Sequence, residues 1–459
     1  MSGNEGARAL TSSPRLYVYG ITAVAAVSGL LFGFDTAVIN GALVFLREQF
    51  RLSDGQTEVA AGSLLIGCVF GSSASGGLTD KWGRKRVLLA AAMLFCLSSL
   101  CTALPRNLTQ FVAARFVAGL AIGVSSVLAP MYIAEVSPAG IRGRLVTLNQ
   151  MAIVTGILAA YFVNWLLSGL GAESWRWMFA SAAAPSLVFF VALLRIPESP
   201  RWLVRRGRQQ AAFGVLKRIG GELAARREIL EISASLTKES GSFRDLLGKS
   251  LRRPLCIAIA LAVLSQVTGI NTVIYYGSIL LKEHAGRSSA SSALGANAII
   301  GLTNFLCTIL ATLVIDRVGR KALLLFGSAG MGVSLTMLAM ALGISPPPGN
   351  LIVGLLLAYV AFFAVSLGPG TWVYIAELFP TAVRGRAMSL ATLSLWLACL
   401  AVTLSFLTLV RILSAAGAFW VYSGLCFVTF GFVWFWVPET KRLSLEEIQL
   451  LWAPRGQKT

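Results

Sequence analysis

The sequence repeats itself. Ile133-Ala-Glu-Val-Ser-Pro-Ala-Gly-Ile-Arg-Gly-Arg144 returns 242 residues later as Ile375-Ala-Glu-Leu-Phe-Pro-Thr-Ala-Val-Arg-Gly-Arg386. Asp80-Lys-Trp-Gly-Arg-Lys85 returns as Asp316-Arg-Val-Gly-Arg-Lys321, an offset of 236. Pro197-Glu-Ser-Pro-Arg201 has a weaker echo in Pro438-Glu-Thr-Lys-Arg442, an offset of 241. Three ordered motifs at nearly one offset require two homologous halves of about 200 residues each. Whatever this chain folds into, it must be built twice.

Composition says in which solvent. The chain is 56% hydrophobic and 13% charged, where a soluble domain carries about a quarter charged residues. Apolar runs long enough to cross about 30 Å of hydrocarbon are read at 17–46, 57–78, 87–104, 109–134, 145–167 and 177–195. A polar stretch follows at 197–252, and then runs at 254–281, 293–315, 322–343, 351–376, 387–410 and 416–437. The expected organisation is a tail (1–15), six spans (16–196), a central loop with short helices (197–252), six more spans (253–437) and a second tail (438–459). Duplication in so apolar a chain is the mark of a secondary transporter, one half rocking against the other around a central site.

A net charge of +19 would suggest nucleic acid in a soluble protein, but its distribution argues against that partner. With the N-terminus inside, the short cytoplasmic loops carry eleven Lys or Arg and the loops on the other side seven. The central loop adds thirteen inside and the tails six. By the positive-inside rule both termini are cytoplasmic. The seven cysteines fall in apolar spans without metal-ligand spacing, so they are expected to be small core residues. The single histidine, His284, leaves nothing from which to build a catalytic triad or a His-based metal centre. No enzyme activity, metal or cofactor is expected.

In Gly76-Gly-Leu-Thr-Asp80-Lys-Trp-Gly83-Arg84-Lys85, Gly83 suits a tight reversal with positive φ and Gly76 would let two helices approach closely. Asp80 can accept hydrogen bonds at the start of the next helix, and the basic run holds the loop inside. This motif, its second copy, Pro197-Glu-Ser-Pro-Arg201-Trp-Leu203 and Pro438-Glu-Thr-Lys441 together resemble the sugar porter family of the major facilitator superfamily, from about Leu16 to Glu447. The resemblance implies an all-α membrane protein, with twelve transmembrane helices in two six-helix bundles and alternating access. It also implies an ion-pair latch at the cytoplasmic helix ends: Asp80, Arg84, Glu135, Arg142 and Glu198 in the first half, Asp316, Arg320, Glu377, Arg384 and Glu439 in the second. Opposite charges there could lock the bundles together inside while the cavity faces outward, which takes only a few kcal/mol.

Asp35, in Leu30-Leu-Phe-Gly-Phe-Asp35-Thr-Ala-Val-Ile-Asn40, sits inside an apolar span. A carboxylate there costs several kcal/mol unless protonated or paired, and is a functional candidate by default. The obvious partner is Arg115 in the fourth span. With a rise of about 1.5 Å per residue, both fall in the outer half of the membrane. Dehydration favours the acid and a guanidinium favours the carboxylate, so a shift between them couples the site to protons. Proton-coupled sugar porters carry Asp in this motif where the passive glucose facilitators have a neutral residue.

The resemblance places the sugar site at Phe32, Gln150, Gln266, Asn271, Tyr275, Asn304, Gly368, Trp372 and Trp396. Amides both donate to and accept from hydroxyls, and aromatic faces stack on the C–H surface of a sugar. Gln266 and Asn271, five residues apart, can reach one cavity. Two positions depart from the pattern: Ser265 replaces the first glutamine of a Gln-Gln pair, and Leu395-Trp396 is followed by Cys399 rather than an amide. The pocket therefore has fewer long polar arms, which leaves a deoxy sugar, another hexose or a polyol such as inositol open. The expectation is a monomeric monosaccharide–proton symporter of the inner membrane, with sugar, proton and lipid as its partners. A passive facilitator is the runner-up and a membrane sugar sensor a remote third.

Overall fold

Inside a bilayer every backbone polar group needs a partner within the protein, which leaves helices or closed barrels. The computed structural model describes residues 12–138, 141–238, 246, 248–285, 289–344, 348–379 and 381–441, and among these there is no strand. The first half comprises Ser12–Gln49, Asp54–Trp82, Arg84–Ala103, Leu108–Val136, Arg142–Leu167 and a sixth span in two pieces, Ser174–Ala180 and Ala183–Arg195. Short helices Pro200–Arg205, Gln209–Gly220 and Glu222–Lys238 form the central stretch. Trp202, Leu203, Val204 and Ala212 give it a small core of its own.

The second half runs Lys249–Val267 with Ile270–His284, Ala290–Val318, Arg320–Leu342, Gly349–Val365 with Leu367–Glu377, and Thr381–Trp436. That last run holds 56 residues. As one helix it would be about 84 Å long, far beyond the roughly 30 Å core of a bilayer. Ser414, at φ 66 and ψ 167, divides it into the eleventh and twelfth spans. The expected twelve spans are present.

Two of them differ from expectation by being broken. The seventh, read as continuous over 254–281, turns at Gly269 in the left-handed region, with φ 92. The tenth, read as continuous over 351–376, breaks at Ser366 (φ −123, ψ −87) just before Gly368 and Pro369. Each break frees backbone donors and acceptors at membrane depth, which is tolerated where they face protein or a cavity.

Close helix contact falls elsewhere than at Gly76, which has nothing within 4 Å of where a β-carbon would stand. The contact belongs to Gly67 and Gly71 on the second span against Gly119 and Gly123 on the fourth. A β-carbon at Gly119 would collide with the Leu64 carbonyl, and one at Gly71 with that of Leu120. Paired Gly-x-x-x-Gly faces are how apolar helices associate when burial from water is no longer a driving force.

The cysteines divide. Cys68, Cys399 and Cys426 are buried as expected, whereas Cys101 and Cys256 are exposed on the outside of the bundle. At the end away from the basic loops the halves are joined by the ion pairs Arg47–Glu283 at 3.1 Å and Lys282–Glu48 at 2.5 Å.

Candidate functional site

The basic end shows the duplication atom by atom. Gly83 (φ 92) and Gly319 (φ 103) end one helix and begin the next. The freed N–H groups at those helix starts attract a carboxylate. Glu198 takes the backbone N–H of Arg84 at 2.8 Å and of Lys85 at 3.1 Å; Glu439 takes those of Arg320 and Lys321, each at 3.1 Å. Arg84 then forks onto Glu135 at 3.1 and 3.0 Å, and Arg320 onto Glu377 at 3.1 and 2.9 Å. Ser199 and Thr440 donate to those same glutamates. Tyr132 and Tyr374 reach the carbonyls of Pro197 and Pro438.

Asp80 does not bind the next helix start, because Glu198 occupies it. It pairs instead with Arg205 of the central stretch at 2.7 Å and more loosely with Arg84 at 3.7 Å. Arg384 donates to the Phe379 carbonyl at 3.1 and 3.2 Å. The side chains of Arg142 and Asp316 lie outside the described residues. Arg84–Glu135 and Arg320–Glu377 each join helices of one half, and Asp80–Arg205 ties the first half to the central stretch. The serine, threonine and tyrosine partners escaped sequence reading, although Ser199 and Thr440 stand one residue after the glutamate in both Pro-Glu motifs.

Asp35 and Arg115 meet as the sequence suggested. Arg115 is fully buried and Asp35 is 5% exposed. The guanidinium donates to Asp35 Oδ1 at 2.7 Å and to the Asp35 carbonyl at 3.2 Å, and lies 5.2 Å from the centre of the Phe179 ring. Asp35 Oδ2 has no protein partner. A carboxylate held by one oxygen can take a proton on the other without first losing its cation.

Of the sugar-site candidates, the break at Gly269 brings Gln266 and Asn271 together: Asn271 Nδ2 donates to Gln266 Oε1 at 2.5 Å. Gln266 Nε2 donates in turn to the Ser265 hydroxyl at 3.1 Å, so Ser265 orients the amide beside it. The Tyr275 hydroxyl lies 3.9 Å from Cys399 Sγ. Phe32 of the first half and Trp396 of the second stand 5.5 Å apart, ring centre to ring centre, across the midline. The Trp396 indole N–H is buried without a partner. Asn304 lines a small cavity with Tyr161, Ile270, Ile274 and Phe363. Gln150 and Trp372 are half-buried on the fifth and tenth spans, Gly368 packs beside Phe363 at the tenth-span break, and no hydrogen bond or ring contact ties these three to the Gln266 cluster.

Sequence reading passed over Asn40. Its amide nitrogen donates to the Ile274 carbonyl at 2.7 Å and the Val273 carbonyl at 3.2 Å, and its oxygen accepts from the Ser278 N–H at 3.0 Å. The Tyr161 hydroxyl also donates to the Ile274 carbonyl, at 3.2 Å. First and fifth spans thereby grip the second piece of the seventh. An amide in an apolar span, five residues after Asp35, was the available signal.

Comparison with known proteins agrees with this geometry. A family model described as "Sugar (and other) transporter" matches residues 21–452. The chain is 38% identical over 443 residues to the arabinose-proton symporter of Bacillus subtilis, covering 95% of both chains. It is 36% identical over 483 residues to the D-xylose-proton symporter of Escherichia coli K12, covering 96% of this chain and 97% of that one. The structure of the xylose transporter XylE from E. coli in an inward open conformation superimposes with a TM-score of 0.83 at 35% identity, covering 95% of this chain and all of that one. The motifs, the duplicated charge clusters and these matches agree: this chain belongs to the sugar (and other) transporter family, a twelve-span, multi-pass membrane protein of the major facilitator fold.

Proposed function

We propose that the protein couples entry of a monosaccharide to entry of a proton, by alternating access across the plasma membrane of a cell, with both termini and the basic loops in the cytoplasm. The observation that carries the coupling is the buried Asp35–Arg115 pair with one carboxylate oxygen free. Gln266, Asn271, Asn304 and the indole N–H of Trp396 supply hydrogen bonds to hydroxyls, and Phe32, Trp372 and Trp396 supply apolar faces. Gln150 and Tyr275 complete the site from the fifth and seventh spans. Relatives named for arabinose–proton and xylose–proton symport support this reading over a passive carrier.

Two charge clusters hold the helix corners of each half as rigid units, so that the halves move as bodies. The Arg47–Glu283 and Lys282–Glu48 pairs join the two halves at their outer ends, so the outer mouth is closed. The orientation follows from the basic loops, since Lys and Arg are retained on the cytoplasmic side.

Asp35→Asn tests the coupling. Asn keeps the shape of a neutral Asp but cannot titrate. Uphill uptake draws about 2.3 kcal/mol per charge for each 100 mV of potential and needs a group that takes and releases a proton. Exchange needs only the loaded carrier to reorient. In proteoliposomes an inward proton gradient should drive sugar accumulation by the wild type and not by the mutant, while exchange of labelled for unlabelled sugar persists in both. Normal accumulation by the mutant would remove Asp35 from the coupling role; a wild type that never accumulates sugar would make the protein a facilitator.

A further inference from the structure

A second buried acid stands far from the coupling pair. Glu58 lies one turn into the second span and is 4% exposed. Its Oε1 accepts the backbone N–H of Thr408 at 2.8 Å and its Oε2 accepts the Thr408 hydroxyl at 2.9 Å. Thr408 belongs to the eleventh span, so both bonds cross from one half to the other near the outer surface. One turn deeper, Gly62 faces Leu404; a β-carbon there would stand 2.6 Å from a Leu404 methyl. The pairs 58 with 408 and 62 with 404 are the register of two antiparallel helices. The missing side chain at Gly62 lets them close until the carboxylate reaches its donors.

The duplication supplies an internal comparison. Residues 58 and 295 are 237 apart and 165 and 408 are 243 apart, close to the offsets of the repeated motifs. At that related seam Trp165 of the fifth span lies over Gly295 of the eighth, 3.3 Å from where a β-carbon would be, and the Tyr161 ring lies over Gly301. The packing is the same, a large side chain over a glycine, but this seam meets through an indole and the other through a carboxylate. Burying a carboxylate is unfavourable unless its oxygens are filled, and here Thr408 fills both only while the outer mouth is shut. Once the mouth opens, water can replace it.

We propose that Glu58 is a positioning residue of the transport cycle, an outer latch that holds the carrier in its outer-closed state by accepting both donors of Thr408. It rests on the alternating-access reading above and on no property of the solute. The two substitutions Glu58→Gln and Thr408→Val keep size while removing, respectively, the charge with one acceptor and the hydroxyl. Pulsed EPR distances between nitroxides at Leu104→Cys and Ile344→Cys, on the outer ends of the two halves, report the state of the mouth in a background without the native cysteines. Measured in nanodiscs without sugar, each substitution should raise the outward-open to outer-closed ratio, by about tenfold for Glu58→Gln, the strength of one charge-assisted hydrogen bond. The double variant should go no further than the stronger single one, because both act on one contact. A ratio unmoved by either substitution, moved toward outer-closed, or moved additively would overturn the latch. A wild type whose distances are single and fixed under every condition would fail the transporter reading itself, and the latch with it.

Discussion

Ser265 shows how one side chain can fix the aim of its neighbour. Its hydroxyl accepts from Gln266, whose oxygen in turn accepts from Asn271. Where the sequence pattern suggested a lost polar arm, the structure has an anchor that points the remaining one. Gln266→Ala should therefore lower sugar affinity about tenfold, since leaving a buried hydroxyl unpaired costs roughly 1–3 kcal/mol. Ser265→Ala should lower it only a few-fold, because it loosens the amide without deleting it. Binding isotherms on purified protein against pentoses, hexoses and inositols would check both. Equal losses from the two substitutions would mean that Ser265 itself touches the sugar.

At the scale of the elements, the helix corners at Gly83 and Gly319 are where the motif residues do their structural work. Both glycines have φ near +100°, and a β-carbon at either would run into the carboxylate that caps the next helix, Glu198 or Glu439. Gly83→Ala and Gly319→Ala should each destabilise the protein in detergent by roughly 1–3 kcal/mol, read as a lower midpoint of thermal unfolding. Gly76→Ala, with open space around it, should leave the midpoint unchanged or slightly raised, as Ala favours helix over Gly. These corners also mark what a sequence can disclose. The number of spans, the duplication and the Asp35–Arg115 pair were legible because hydropathy runs, repeated motifs and charges in apolar surroundings are local signals. The breaks at Gly269 and Ser366 were not read, because each falls inside a stretch long enough for one span; Gly269 itself and Gly368-Pro369-Gly370 were the local signals. Nor was the exchange of roles between Asp80 and Glu198, because which carboxylate reaches a helix start depends on where the central stretch folds back. Asn40 escaped for the same reason: its partners are backbone groups of the seventh span, some 234 residues away.

The whole molecule is a balance between two closures, and each end can be perturbed separately. At the outer end Arg47 bridges Glu283 of the other half as well as Asp54 of its own, and Lys282 reaches back to Glu48. These pairs are partly solvent-exposed, so each contributes only about 0.2–1 kcal/mol and weakens with salt. Arg47→Gln should raise the outward-open population by a few-fold at low ionic strength, and the difference from wild type should shrink as salt screens the pairs. At the cytoplasmic end we propose a latch that acts the other way. The family resemblance assigns Glu377 and Arg384 to a cluster that would hold the inner ends together when the cavity faces out, so Glu377→Gln or Arg384→Leu should shift the population toward inward-facing. The same label pair across the outer mouth reads both: longer distances for Arg47→Gln, shorter for the inner substitutions, and wild-type-like values when one of each is combined. An outward population that grows with Arg384→Leu would mean that the cytoplasmic charges only brace each half internally, as Arg84–Glu135 and Arg320–Glu377 do here, and that the outward state is held by something else.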